Sequence, residues 1–502
     1  MSIDPSPLIA RLTRSLARED RFLEDVERGE RRALAALSGA ASAVAARVAP
    51  ALRAPDSARP RVLLAARPGL DWTVGFLGIL HAGGAVVPVP LGAPTNELEH
   101  YANDAQVSVA LASHGLEGAL PAGLARLELD VGAAFERAAP SSTRAELASS
   151  DVAMLVYTSG TTGRPKGVML THGNVAAHVE ALASAWQITE RDVLLHALPM
   201  HHIHGIVVAM LTALASSASV LALGRFDARR VFDELARATV FMGVPTMYTR
   251  LADAFDAASE AERERWSASA RALRLATSGS AALPVRLAER WRAIAGAIPL
   301  ERYGMTEIGI ALSNPLDPTG RRPGWVGKPL ANVEARVEDG ALRVRGPGIF
   351  AGYFGRDERV VDDEGWFSTG DVAEVDERGD HRLLGRASTD ILKSGGEKIS
   401  ALEVEEVLRE HDAIAEVAVV GLPDEEWGQR VTAFVVLRER HGDGGTLGLE
   451  ELRAWAKTRL AAYKVPRELR IVAALPRNAM GKVTKGALAA ISAEGSISPP
   501  KK

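Results

Sequence analysis

The sequence predicts an α/β protein with a smaller α+β unit at its C-terminal end, and three observations carry that expectation. Short apolar, β-rich runs alternate with Ala- and Leu-rich helical stretches through most of the first 380 residues, which indicates α/β layers with largely buried sheets. After Gly340 the texture shifts to short strands with polar turns, and near Ala387 a compact mixed unit begins. At 502 residues the chain is too long for one ordinary core, so at least two domains are expected.

Taken in order, "RVLLAA" (61–66), "AVVPVP" (85–90), "VALAS" (109–113), "VAMLVYT" (152–158), "VLLHALP" (193–199) and "SVLAL" (219–223) read as buried strands. Helices are expected between them, at 173–186 and 206–215 among others. The apolar run "GIVVAMLTALASSASVLAL" could be mistaken for a membrane span. Its small and hydroxylated residues, with His204 and Gly205 before it and Arg225 after, favour a buried helix followed by a strand. In the C-terminal unit, helices at 401–410 and 449–460 and the strands "EVAVVGL", "RVTAFVVL" and "RELRIVAAL" are expected, with "HGDGGTLG" (441–448) as a loop. The ending "SAEGSISPPKK" reads as a frayed tail. These textures divide the chain into a domain at 1–386, a second at 387–490 and a tail at 491–502.

Composition narrows the function classes. With 47% hydrophobic and 24% charged residues this is a soluble globular chain. A net charge of −4 gives no reason to expect nucleic acid, which would want a clustered basic surface. The chain has no cysteine, which removes disulfides, thiolate metal sites and a cysteine nucleophile, so any acyl thioester needs an external thiol. The first twenty residues lack an apolar signal core and carry acids that argue against a transit peptide, so the cytoplasm is the expected compartment.

The stretch "YTSGTTGRPKGVMLTH" (157–172) is the strongest local signal. Glycines let backbone N–H groups approach an anion, hydroxyls add donors and Lys166 adds charge, a composition suited to phosphate. It is not the mononucleotide loop that opens a helix, because Lys166 lies between Pro165 and Gly167. Further segments look like loops facing one site. "LPMHHIHG" (198–205) crowds three histidines; zinc is one reading, but no acidic or cysteine partner stands at ligand spacing, which favours pocket lining. "RYGMTE" (302–307) joins an aromatic, a hydroxyl and a carboxylate over a short turn, and "STGD" (368–371) sets Asp371 after a glycine turn, suited to a ribose diol. "GRASTDILKSGGEKI" (385–399) and "PRNAMGKVTK" (476–485) are basic and glycine-containing. Each alone also reads as a turn with a solvated lysine.

Together and in this order, the motifs resemble the acyl-adenylate-forming superfamily of acyl-coenzyme A synthetases, luciferases and peptide-synthetase adenylation domains, over roughly residues 60–485. The resemblance implies a large N-terminal domain of two stacked α/β sheets plus a small β-barrel, and a smaller mobile C-terminal domain. It implies that ATP, Mg²⁺ and coenzyme A are used, with no nucleic acid or membrane-spanning partner, by a monomer or homodimer. Thr158, Ser159, Gly160, Thr161, Thr162 and Lys166 would hold the ATP phosphates. Tyr303 would lie against adenine, Thr306 would bond the α-phosphate, Glu307 would coordinate Mg²⁺, and Asp371 with Arg386 would take the ribose. Lys482 would reach in from the small domain to bridge the carboxylate and the ribose–phosphate oxygen. "KSGGEK", with Lys393, Gly395 and Gly396, would then swing in to admit coenzyme A, turning about Ser388, or about Thr389 because one extra residue separates Arg386 from Asp390. Glu397 departs from the aromatic that relatives often carry there.

The acid is read from residues the nucleotide does not need. Arg250, in "GVPTMYTRLADAF", resembles the arginine that malonyl-coenzyme A synthetases of the mitochondrial type aim at a distal carboxylate. His204 and Ser280 fit the same polar acyl pocket. The expected activity is malonyl- or methylmalonyl-CoA formation, a ligase reaction of fatty acid metabolism. Synthetases for another small or aromatic acid and a carrier-loading adenylation enzyme remain open, as does a surface position for Arg250.

Overall fold

The computed structural model describes residues 6–52, 60–116, 120–138, 145–158, 165–438, 447–477 and 483–493. Two large sheets dominate. A seven-stranded sheet runs Gly352–Tyr353, Lys166–Thr171, Val152–Thr158, Ala85–Pro88, Arg61–Ala65, Val109–Ser113 and Ala125–Leu129. A nine-stranded sheet runs from Lys328–Pro329 through Gly309–Ser313, Leu300–Met305, Leu275–Ser278, Val240–Gly243, Val193–His196, Ser219–Ala222 and Phe22–Asp25 to Glu30–Ala33. The centres of both are parallel, and their margins are antiparallel except at Ala125–Leu129, which pairs parallel with Val109–Ser113. Parallel strands are buried on both faces, which is why their sequences are apolar runs rather than alternations.

The helices Leu34–Val48, Leu70–His81, His172–Ala185 and the run His204–Ala215 share one core with strands from both sheets. His204–Ala215 is wholly buried and leads into Ser219–Ala222 as expected, but its first two turns, His204–Leu211, are π-helical. The stretch Leu34–Ala51 has the length and apolarity of a membrane span. Its Leu34, Leu37, Ala40, Ala41, Val44 and Val48 are packed into that core.

Beside the two sheets, Glu334–Glu338, Ala341–Arg345, Phe367–Val375 and His381–Arg386 form a four-stranded antiparallel sheet in the place of the implied small barrel. The C-terminal residues build a separate sheet, Glu397–Ser400, Ile391–Ser394, Gly428–Leu437 and Ile414–Asp424, with Glu468–Ile471 parallel to Gly428–Leu437. Leu392, Ile399, Val404, Val419, Val431 and Leu452 give it a core of its own.

Three sequence expectations change. "ILKSGGEKI" is a β-hairpin rather than a loop, "STGD" lies inside the strand Phe367–Val375, and "RYGM" completes the strand Leu300–Met305 so that only Thr306 and Glu307 stand in the turn. The helix Lys485–Ala493 runs past residue 490, and residues 494–502 of the expected tail lie outside the described residues, as does most of 441–448.

Candidate active site

Thr158 and Lys166 pair across two antiparallel strands, so Lys166 opens a strand and not a helix. Ser159, Gly160, Thr161 and Thr162 lie outside the described residues. The Lys166 ammonium stands 5.0 Å above the Tyr353 ring, a cation–π contact that fixes its direction. Gly352–Tyr353 is itself the next strand, pairing with Val168 and Met169. The Tyr353 hydroxyl donates to Glu307 Oε1 at 3.0 Å. Glu307 is buried, and its other oxygen makes no hydrogen bond among the described residues. Tyr353 therefore joins the phosphate strand to the Thr306–Glu307 turn. Sequence reasoning missed it because a lone tyrosine after glycine carries no spacing signal.

Across the turn, the Tyr303 hydroxyl donates to Asp371 Oδ2 at 2.5 Å, while Arg386 Nε lies 3.0 Å from Asp371 Oδ1. Arg386 Nη1 also donates to the Thr369 carbonyl at 2.7 Å. Burial, reinforced by the Asp371 charge, pushes the Tyr303 hydroxyl well above its ordinary pKa, so it stays a donor. An ionised carboxylate offers about four acceptor positions, and Tyr303 and Arg386 approach one oxygen of Asp371 each. The structure thus brings together Tyr303, Asp371 and Arg386 on one side, and Lys166 and Glu307 on the other.

A bulge shifts the register between Tyr303 and Gly304, and neighbouring side chains on a strand face opposite ways. Arg302 accordingly points away from Tyr303, against Gly279, where a Cβ would lie 2.3 Å from the guanidinium carbon. Arg302 is buried, and its Nε and Nη2 have no hydrogen-bond partner among the described residues. Burial pulls its pKa down to about 9. His204 is buried too; desolvation first, and then the Arg302 charge, hold it well below its ordinary pKa and hence neutral. Its Nδ1 lies 3.4 Å from the Ser280 hydroxyl, and Ser280 has a left-handed backbone, φ 68°. Non-glycine residues in that region are uncommon and gather at functional sites. Among the described residues no group of three or more His, Asp or Glu side chains could hold a metal ion.

Arg250 belongs to the helix that follows the strand Val240–Gly243. It is exposed on the helix Pro245–Asp256, whose buried face is Met247, Tyr248, Leu251 and Ala252, and it makes no ion pair among the described residues. The buried cation of this site is Arg302. Its only sequence signal was an arginine inside the otherwise core-facing strand "LERYGM".

The model of the AMP-binding enzyme family matches residues 39–354, and that of the AMP-binding enzyme C-terminal domain matches residues 403–482. The chain belongs to the AMP-binding enzyme family. Among its relatives, the human mitochondrial malonate–CoA ligase ACSF3 is 41% identical over 457 residues, 81% of this chain and 78% of that protein. The Arabidopsis thaliana malonate–CoA ligase is 39% identical over 471 residues, 85% of this chain and 77% of the relative. The ATP-bound MatB from Rhodopseudomonas palustris superposes with a TM-score of 0.87 at 33% identity, over 97% of this chain and 99% of that one. A malonyl-CoA ligase ternary product complex with methylmalonyl-CoA and AMP fits at 0.66, with 36% identity over 95% and 99%.

AMP-binding enzymes of this ligase type use ATP and coenzyme A; the remaining expected residues fall between 388 and 482. Lys393 is exposed on the first hairpin strand, and Gly395 and Gly396 form its two-residue turn with φ of 59° and 86°. Ser388 and Thr389 lie exposed in a tight turn closed by Asp390 N–H to the Arg386 carbonyl at 2.8 Å. Lys482 lies outside the described residues. Nearby, Lys485 is held between Asp390 at 2.6 Å and Glu405 at 2.7 Å.

Proposed function

We propose that this enzyme is a malonate–CoA ligase. A malonate oxygen attacks the α-phosphorus of ATP as the bond to pyrophosphate breaks; the coenzyme A sulfur then attacks the acyl carbon and AMP leaves. The observation that carries the dicarboxylate is Arg302. A buried guanidinium with two unpaired N–H groups is costly, and an acyl pocket for a monocarboxylate gives it nothing to bind. A distal carboxylate would accept both in a fork. The relatives named for malonate support the reading, and neutral His204 with Ser280 would supply uncharged hydrogen bonds to the same acid.

On the nucleotide side, Lys166, Thr158 and the residues 159–162 would hold phosphates, Tyr303 would face adenine, Asp371 and Arg386 the ribose, and Thr306 the α-phosphate. Glu307 offers the hard oxygen that suits Mg²⁺, which when bound would screen the triphosphate charge. Lys482 would bridge the two reacting anions. Lys393, Gly395 and Gly396 would serve coenzyme A, with the turn at Ser388 or Thr389 as the hinge between units 1–386 and 387–490. The reading includes a cytoplasmic place in fatty acid metabolism, although several relatives are named mitochondrial.

The test is kcat/KM on oxalate, malonate, methylmalonate, succinate and butyrate for the wild type, Arg302→Ala and Arg250→Ala. Malonate or methylmalonate should lead. Arg302→Ala should lose on the order of a hundredfold or more on the preferred acid, the consequence of ~3–5 kcal/mol for an unpaired buried charge, and should spare butyrate. Arg250→Ala should show whether that exposed arginine shares the distal carboxylate. A wild-type preference for butyrate sinks the proposal.

A further inference from the structure

The Thr306–Glu307 turn is braced from behind by the helix His172–Ala185. That helix follows directly from the strand carrying Lys166, and a reciprocal cap between Thr171 and Asn174 fixes its start. The Asn174 amide also donates to the Pro347 and Ile349 carbonyls at 2.9 and 2.8 Å. One turn later His178 is buried, with a hydrogen bond to the Gly348 backbone. Its Nε2 has no partner among the described residues.

Two backbones pack closely against that imidazole. A Cβ at Gly309, just past the turn, would sit 1.9 Å from His178 Cε1, and a Cβ at Gly348 would sit 2.2 Å from the same atom. Phe350 N–H then donates to the Glu307 carbonyl at 2.9 Å. Tyr353 closes the ring, bonding the Glu307 carboxylate while its own strand pairs beside Lys166. From Lys166 the contacts run through the helix, the 347–350 segment and Glu307, then back to Lys166 through Tyr353.

We infer that His178 is a positioning residue for Glu307: wedged against Gly309 and bonded to Gly348, it sets where the turn holds its carboxylate. A histidine that merely fills space would affect stability alone. One that sets the carboxylate should change cation affinity, because partners one shell out orient the groups that bind.

The inference rests on Glu307 as the Mg²⁺ ligand, so the experiment separates the two. Mn²⁺ binding to the full chain is titrated by electron paramagnetic resonance with α,β-methylene-ATP present, and thermal unfolding is followed in parallel. The proteins are wild type, His178→Leu, His178→Asn, Asn174→Ala and Glu307→Gln. His178→Leu should weaken Mn²⁺ by about tenfold. His178→Asn, which keeps an N–H near the Nδ1 position, should recover part of that loss. Asn174→Ala, acting on the same segment from a partly exposed position, should weaken Mn²⁺ even where His178→Leu folds poorly. If Glu307→Gln loses Mn²⁺ while folded His178 variants and Asn174→Ala bind as wild type, His178 is a filler and the inference falls alone. If Glu307→Gln binds Mn²⁺ normally, the metal-ligand reading falls and takes this inference with it.

Discussion

Glu301 and Arg302 are adjacent buried charges with opposite fates. Glu301 accepts the Leu283 and Gly324 N–H groups at 3.1 and 3.3 Å, yet desolvation outweighs those bonds and pushes its pKa up to about 8. Between an ordinary carboxylate pKa and that value, the folded state holds a proton that the unfolded state has lost. Stability from this group is therefore complete below about pH 4.5 and is lost as pH rises toward 8, by up to about 1.4 kcal/mol per pH unit. Glu301→Gln should match the wild type in urea unfolding at pH 5 and exceed it at pH 8.5. Parallel pH profiles would show that Glu301 ionises normally. Arg302 opens the "RYGMTE" motif, which is recognisable by eye, and Glu301 stands just before it. Which of them keeps unpaired N–H groups and which accepts two backbone donors depends on what the fold packs against each, a tertiary feature that no spacing encodes.

At the scale of elements, the parallel strands were legible because burial on both faces demands apolar runs. The hairpin Ile391–Ser400 was not, since its tip "KSGGEK" is charged and it pairs Ser394 with Gly428, far along the chain. Phe22–Asp25 and Glu30–Ala33 escaped for a similar reason: they are short and charged, and Phe22–Asp25 pairs with Ser219–Ala222. The glycines at the hairpin tip have a local explanation, because a two-residue turn with both φ positive favours Gly or Asn. A Cβ at Gly395 would also meet the Trp427 ring at 2.9 Å, whereas nothing lies within 4 Å of one at Gly396. Gly396→Asn should thus keep the fold, with urea midpoints near wild type. If coenzyme A passes this turn, the variant should slow thioester formation from supplied acyl-adenylate and leave adenylation unchanged. Two intact half-reactions would mean that the turn alone requires glycine.

For the whole molecule, the informative contact joins the two units. Val285 N–H, in the first turn of the helix Val285–Ala295, donates to Glu406 Oε1 at 2.7 Å, so a carboxylate from the small unit caps a helix of the large one. The chain fits the ATP-bound relative at a TM-score of 0.87 and the product complex at 0.66. A side-chain cap is worth ~0.5–2 kcal/mol, which biases an equilibrium between two arrangements by about 2- to 30-fold. Glu406→Ala should slow adenylation relative to thioester formation in single-turnover measurements. An equal effect on both half-reactions would assign the contact to stability alone.

The Asp371–Arg386 pair has a consequence in the language of linkage. Arg386 ends the strand that leads into the Ser388–Thr389 turn, and the same side chain grips the carboxylate proposed for the ribose. An orientation of the small unit that strengthens or loosens this grip changes nucleotide affinity by some factor. Reciprocity then requires bound nucleotide to shift the balance of orientations by that same factor. ATP, the acyl-adenylate and AMP would each act as an effector of the hinge as well as an occupant of the site.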